Sequence, residues 1–478
     1  MAYRKLARVL TGFVAPLACL AVAHPAFAQS ARALDVRAAK VIEHWTPERK
    51  AAAIPRDLAI DPRGYAYLRG PGNSLIPYGH TVAAEHHGAS PNAAPGGDNT
   101  PPSVTNMNPA AGTILASDRH NFSATVSDAS GVRSVSMSIR QGTGAAQSFA
   151  MSQGAGGTWS VSLSGLTNGS WSWSITAKDA ARGGGNTTTT AAVPFTVSIG
   201  SGGGGGPGTV PNAEWTTGGV VQEAVGRIYF EMPDNRRLTR WAGYVCSGTV
   251  AVDGTTNRSI IITAAHCVYD DVNKAFARNV MFIPNQANTS GAGTDRECAN
   301  DPIGCWVPSI GIVDTNWTTR TFPDNIPWDY AFYVVPDSGA HQAGAGAAVD
   351  KLDDAVTAMD VSFSSPSLGV LTHALGYSYS EDPKFMYCAD SLSQESAANW
   401  WLGNCGLSGG SSGGPWAQPF TNGNGPIVSV NSWGYTGDPG MAGPKLSGTS
   451  AGCVFSVAKA AAMGTFPDGQ AGVKANCQ

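Results

Sequence analysis

Eight of the chain's nine cysteines fall between Cys246 and Cys477, and only Cys19 lies before them. A region that can be cross-linked therefore follows one that cannot. Whether the thiols meet an oxidising compartment is decided at the other end of the chain. Arg4, Lys5 and Arg8 precede an apolar stretch from Val9 to Val22, and Ala26-Phe27-Ala28 then supplies the small residues that signal peptidase needs. This predicts a signal peptide over 1–28 and export. A membrane anchor fits less well, because Gly12 and Pro16 interrupt a stretch already shorter than the roughly 20 residues that span a bilayer. Export leaves an even number of cysteines and predicts four disulfides. Pairing of sequence neighbours gives Cys246–Cys267, Cys298–Cys305, Cys388–Cys405 and Cys453–Cys477. Eight cysteines nonetheless allow on the order of a hundred connectivities. There is no CxxC pair to suggest structural zinc.

At 478 residues the chain exceeds one ordinary core, since a domain holds about 100 to 200 residues. Charged residues make up 13% of it, and Val, Ile, Thr and aromatics recur between Gly, Asn and Pro clusters, which predicts a mostly β molecule. The net charge of -4 and the lack of a basic block beyond the N-terminus argue against nucleic acid as a partner.

Four segments follow the signal peptide. Residues 29–95 combine a short helical stretch, Leu34 to His44, with irregular sequence and few large apolar side chains, and are expected to be a propeptide. Residues 98–199 change to period-two alternation, as in Phe122, Ala124, Val126; Val135, Met137, Ile139; and Trp171, Trp173, Ile175. About five such strands separated by DASG, GAGG and TNGS turns suit an immunoglobulin-like or fibronectin-like β-sandwich without a disulfide. Trp159, Trp171 and Trp173 are expected mainly in its core, a ligand platform being the alternative. Residues 200–208 contain SGGGGGPG, a flexible tether that would let its neighbours move independently. Residues 209–478 form a second all-β region, with short apolar runs such as SIIITAA and YAFYVV between turns.

Acyl transfer to serine needs a base beside the hydroxyl, a carboxylate orienting that base, and donors for the oxyanion. Gly410-Ser411-Ser412-Gly413-Gly414-Pro415 is a tight turn that makes Ser412 a candidate nucleophile, with the amides of Gly410 and Ser412 as an oxyanion hole. Taken alone it could be a flexible loop. TAAHC, Thr263 to Cys267, follows the strand SIII and offers His266 as base. Asp329, in PWDYAFYVV at the head of an apolar strand, is the preferred carboxylate; Asp270 and Asp271 are rivals in what reads as an exposed turn.

These three boxes, in the order His266, Asp329, Ser412, resemble the secreted bacterial members of the trypsin-like or chymotrypsin-like serine peptidases, over about Gly218 to Cys477. The resemblance implies an all-β fold with a chymotrypsin-like double β-barrel, an active site between the barrels, and peptide-bond hydrolysis with no cofactor and no metal. It also implies that Ser432-Trp433-Gly434 pairs with an extended protein or peptide substrate and that Gly406 stands where trypsins carry an acid. An Arg or Lys preference is therefore not expected, and a small or apolar residue is preferred at the cleaved position. Animal members place an Asp before the nucleophile to bind a new N-terminal ammonium. Ser411 stands there instead, so the oxyanion loop is expected to be held by local hydrogen bonds and the Cys388–Cys405 bridge. The sandwich resembles modules appended to secreted hydrolases, which implies a cell-surface or glycan ligand, an extracellular location, periplasmic transit in a Gram-negative cell, and no membrane partner once the signal peptide is cut. A non-catalytic binding module on a protease scaffold would ordinarily lack one of the three residues. An esterase of the α/β-hydrolase type would need a GxSxG elbow and βαβ alternation, and neither is found.

Overall fold

The computed structural model describes residues 35–477 apart from 62–63, 71–73, 80–97, 116–119, 154–156, 164–165, 182–184, 198–207, 292–296, 345–348, 437 and 464–470. The expected signal peptide and nearly all of the Gly-rich linker lie outside these residues.

Strand-favouring runs become strands throughout, and the fold is the all-β, chymotrypsin-like one expected. In the first half of residues 209–478, strands Val225–Pro233, Trp241–Ala251, Arg258–Thr263, Ala331–Pro336 and Ile310–Asp314 lie side by side in that order, all antiparallel. Strand Arg278–Pro284 flanks the first of them. The β-branched Ile260, Ile261 and Ile262 are buried on both faces, as expected of a strand inside a closed core. The second half contains the sheet Val210–Glu214, Met386–Ser391, Leu371–Gly376, Pro415–Ala417, Ile427–Val430 and a second ladder, Asn399–Leu402, Met441–Pro444, Trp433–Tyr435. All four neighbour-paired cysteine couples are bridged.

Residues 103–197 make two sheets that share one core. Strands Thr158–Leu163, His120–Ser127 and Ser103–Asn108 form one; Val193–Val197, Gly169–Asp179 and Val132–Gln141 are the centre of the other. Phe122, Ala124 and Val126 from the first meet Met137, Ile139, Trp173, Ile175 and Phe195 from the second. Alternation thus put the right faces inward. Trp173 is buried with its indole N–H donating to the Pro109 carbonyl at 3.0 Å, so its one polar atom is satisfied. Trp159 is buried and Trp171 half-buried, stacked on Phe195. Independent movement of the sandwich was expected from the linker. A cavity of about 320 Å³ is lined by Leu115 and His120 of these sheets and by Leu392, Trp401 and Tyr435 of residues 209–478.

The described residues between 35 and 79 build no core of their own. Asp35 caps helix Val36–His44 through its side chain, and Thr46 caps helix Pro47–Ala52. Trp45 then lies against Tyr229, and its indole donates to the Asn279 carbonyl. Leu58, Ala66, Leu68 and Tyr78 join the apolar core of residues 209–478. The segment's scarcity of apolar side chains is made good by burying them against that region.

Candidate active site

Strand register brings His266 and Asp329 together. Thr263 is opposite Ala331 in the antiparallel pair Arg258–Thr263 and Ala331–Pro336, so the chain leaving one strand and the chain entering the other lie at the same end. A short 3₁₀ turn, Ala265–Cys267, presents His266 there, and another, Ile326–Trp328, delivers Asp329. His266 Nδ1 is 2.7 Å from Asp329 Oδ2, and the His266 amide donates to Asp329 Oδ1 at 2.8 Å. Ser432 Oγ donates to the same Oδ2. A buried carboxylate can only accept, so Nδ1 carries the proton and Nε2 is left as the basic nitrogen. Both residues are fully buried, and Nε2 has no hydrogen-bond partner among the described residues.

Ser412 sits on a turn that only glycine permits. Gly410 and Gly413 have φ of +94° and +81°, where a side chain is strained. A Cβ on Gly413 would also lie 2.1 Å from Thr263 Oγ1, and one on Gly414 would lie 2.0 Å from the Leu375 carbonyl. The turn is held from two sides. The Ser247 amide donates to the Ser412 carbonyl at 2.7 Å and Ser247 Oγ to that of Gly410 at 2.9 Å. Asn431 Nδ2 donates to the carbonyls of Ser411 and Leu375, both at 2.9 Å, while Asn431 Oδ1 accepts from the Trp416 indole. The Cys246–Cys267 bridge is adjacent in sequence to both Ser247 and His266, and so ties the support of the Ser412 turn to His266. Ser411, where an acid was absent, is buried with its hydroxyl unpaired. Sequence reasoning missed Ser247 and Asn431. The signal available was their adjacency to Cys246 and Ser432.

Gly406, Ser412, Ser432, Trp433 and Gly434, singled out from the sequence, line one cavity of about 230 Å³. Three residues of the expected propeptide, Asp57, Leu58 and Arg69, line it too. Strand Asp57–Ile60 runs parallel to Trp433–Tyr435, with Leu58 opposite Trp433 and Ala59 opposite Gly434. Just before it, Ile54 and Pro55 pair with Tyr244 and Val245. Asp57 Oδ1 accepts from Ser412 Oγ at 3.1 Å and from the Gly410 amide at 3.3 Å. Burial raises the Asp57 pKa above the usual carboxylate range, against the opposing pull of Ser412 and His266.

Asp270 and Asp271 correct an expectation. They read as an exposed turn, yet both are buried. Arg56 covers them: its Nη2 lies 3.0 Å from Asp270 Oδ2 and 2.8 Å from the Tyr78 hydroxyl, and its Nε donates to the His266 carbonyl at 2.8 Å. Tyr78 in turn donates to Asp271. Burial opposes the charge on Arg56, but the tyrosines and Asp270 outweigh it and hold its pKa above the ordinary value. The remaining oxygens of the two carboxylates are taken by backbone amides: Asp270 by Val272 and Asn273, Asp271 by Phe322. It is Asp329, and neither of these two, that bonds the His266 ring and amide.

Among the described residues, no helix is long and apolar enough to cross a membrane. No protein-family model matches the chain, and no curated protein matches it. Among solved structures the chain is similar to the thermostable serine protease AL20 from an extremophilic microorganism, at 25% identity over 51% of this chain and 100% of that one, with a TM-score of 0.39. It is also similar to the endo-β-1,4-mannanase from Thermotoga petrophila, at 12% identity over 21% of each chain, with a TM-score of 0.17. Neither likeness extends over the whole of this chain.

Proposed function

We propose that the chain is a serine endopeptidase, exported as a precursor, in which Ser412, His266 and Asp329 act together. The observation that carries this reading is the doubly held pair: Asp329 bonds both the ring and the amide of His266, which leaves Nε2 as the basic nitrogen. In the reaction, Ser412 Oγ attacks the carbonyl carbon of a peptide bond while Nε2 takes the hydroxyl proton. The amides of Gly410 and Ser412 receive the oxyanion. The C–N bond then breaks as His266 returns the proton to the leaving amine, and water repeats the sequence on the acyl-enzyme. Ser432 to Gly434 align the substrate, and Gly406 leaves room for a small or apolar side chain.

In this reading 1–28 is the signal peptide, 29–95 a propeptide, 98–199 an immunoglobulin-like module and 200–208 its tether to the protease at 209–478. The four disulfides support an extracellular site of action. The module would hold a cell-surface or glycan ligand and raise the local concentration of the protease there. The test is digestion of a denatured protein mixture by the processed protein and by Ser412→Ala, with new termini read by mass spectrometry. Ser412→Ala should fold normally and lose on the order of a millionfold in turnover. Equal cutting by both would refute the reading, and the residues before the cut bonds give the specificity.

A further inference from the structure

The segment Ile54 to Ile60 enters the cleft, and the group it places on the nucleophile is a side chain. One oxygen of Asp57 takes a hydrogen bond from Ser412 Oγ and another from the Gly410 amide. A substrate offers a carbonyl carbon to the first group and its oxygen to the second. A carboxylate at this position offers a charge-delocalised carbon that Ser412 Oγ does not attack, so the segment is held without being consumed. The hydroxyl that His266 would deprotonate is turned to Asp57, and His266 Nε2 is left buried and unpaired. The fit is specific: a Cβ on Gly409 would lie 2.6 Å from Pro55 Cβ and 2.8 Å from Asp57 Oδ2. Arg56 anchors the next position, buried against Asp270, and strand pairing holds the segment on both sides.

We infer that Asp57 is a built-in inhibitor of Ser412, keeping the full chain latent by occupying the nucleophile and an oxyanion donor with a carboxylate. This rests on the hydrolase reading above and adds the regulation of the same site.

The test measures the rate at which a fluorophosphonate probe labels Ser412 in the full chain. Wild type should label slowly and Asp57→Ala roughly tenfold to a hundredfold faster, the range expected for losing a hydrogen bond to a charged group. Asp57→Asn keeps the shape and removes the charge; it should label faster than wild type and slower than Asp57→Ala. It also provides a second readout if Asp57→Ala fails to fold. Wild type freed of residues 29–95 by limited proteolysis should label fastest, and Ser412→Ala not at all. If the freed chain labels quickly while both Asp57 variants stay as slow as wild type, the segment obstructs by bulk alone and the role of Asp57 is overturned. If the freed chain does not label, the hydrolase reading fails and this inference falls with it.

Discussion

The sandwich and the region proposed to be catalytic are both built of strands, yet they bury different things. The sandwich core is almost wholly apolar, centred on Phe122, Met137, Trp173, Ile175 and Phe195, and contains no cysteine. The catalytic region buries His266, Asp329, Arg227, Asp271 and Asn431 as well, and carries all four disulfides. An apolar core needs only the right faces inward. A core that holds chemistry must also satisfy every buried charge, because an unpaired one costs several kcal/mol. Stability in the sandwich is therefore spread over many interchangeable contacts, whereas in the catalytic region it depends on particular partners. The segment before residue 80 belongs with the second group, since its buried Arg56 pairs with Asp270.

The comparison can be broken at its most apolar point. Trp173→Ala should destabilise the sandwich by about 3–5 kcal/mol through the cavity it leaves. A thermal melt should show it, while turnover of the processed protein on a small peptide stays within about twofold, inside the ±0.5 kcal/mol typical of distant changes. A large loss of turnover would mean that the sandwich shapes the active site.

A somewhat smaller effect tests the cross-links. Removing Cys453–Cys477 by the double change to Ser frees a loop of 24 residues, and should cost roughly 3 kcal/mol, read as an earlier midpoint in urea. The transition of the sandwich should not move. If both transitions shift together, the two regions unfold as one unit and the contrast is false.

The smallest effect concerns pH. Burial pushes the pKa of His120 in the sandwich down to about 4. The unfolded chain binds a proton at about 6.5 and the folded one does not until about 4, so stability is fully present above 6.5 and declines as pH falls through that window. The loss should reach at most about 3 kcal/mol. His120→Phe should flatten the profile of the sandwich between these values, measured by melts across pH. An unchanged slope would assign it to other groups.

Much of the architecture was legible along the chain. Period two over Phe122 to Val126 and Val135 to Ile139 specifies which side chains face inward, because alternate residues on a strand point to opposite faces. The boxes around His266, Asp329 and Ser412 stand out because each couples a reactive side chain to local features that position it: a strand end, a neighbouring cysteine, a run of glycines. Ser247 and Asn431 did not stand out, since hydrogen bonds to carbonyls of Gly410 and Ser411 depend on how strands far apart in sequence approach.

What the sequence by itself determined was therefore local: the strands, the turn at Ser412 that only glycine allows, the cysteine supply and the candidate chemistry. The tertiary structure alone decided that Asp270 and Asp271 are buried, that Asn431 braces the nucleophile turn, and that Asp57 lies on Ser412. These are meetings between segments separated by scores or hundreds of residues. Nothing in the immediate neighbours of Arg56 and Asp57 names their partners. The physical reason is that a strand's pairing partner and a buried charge's counter-ion are chosen by the packing of the whole chain, which local propensity does not encode.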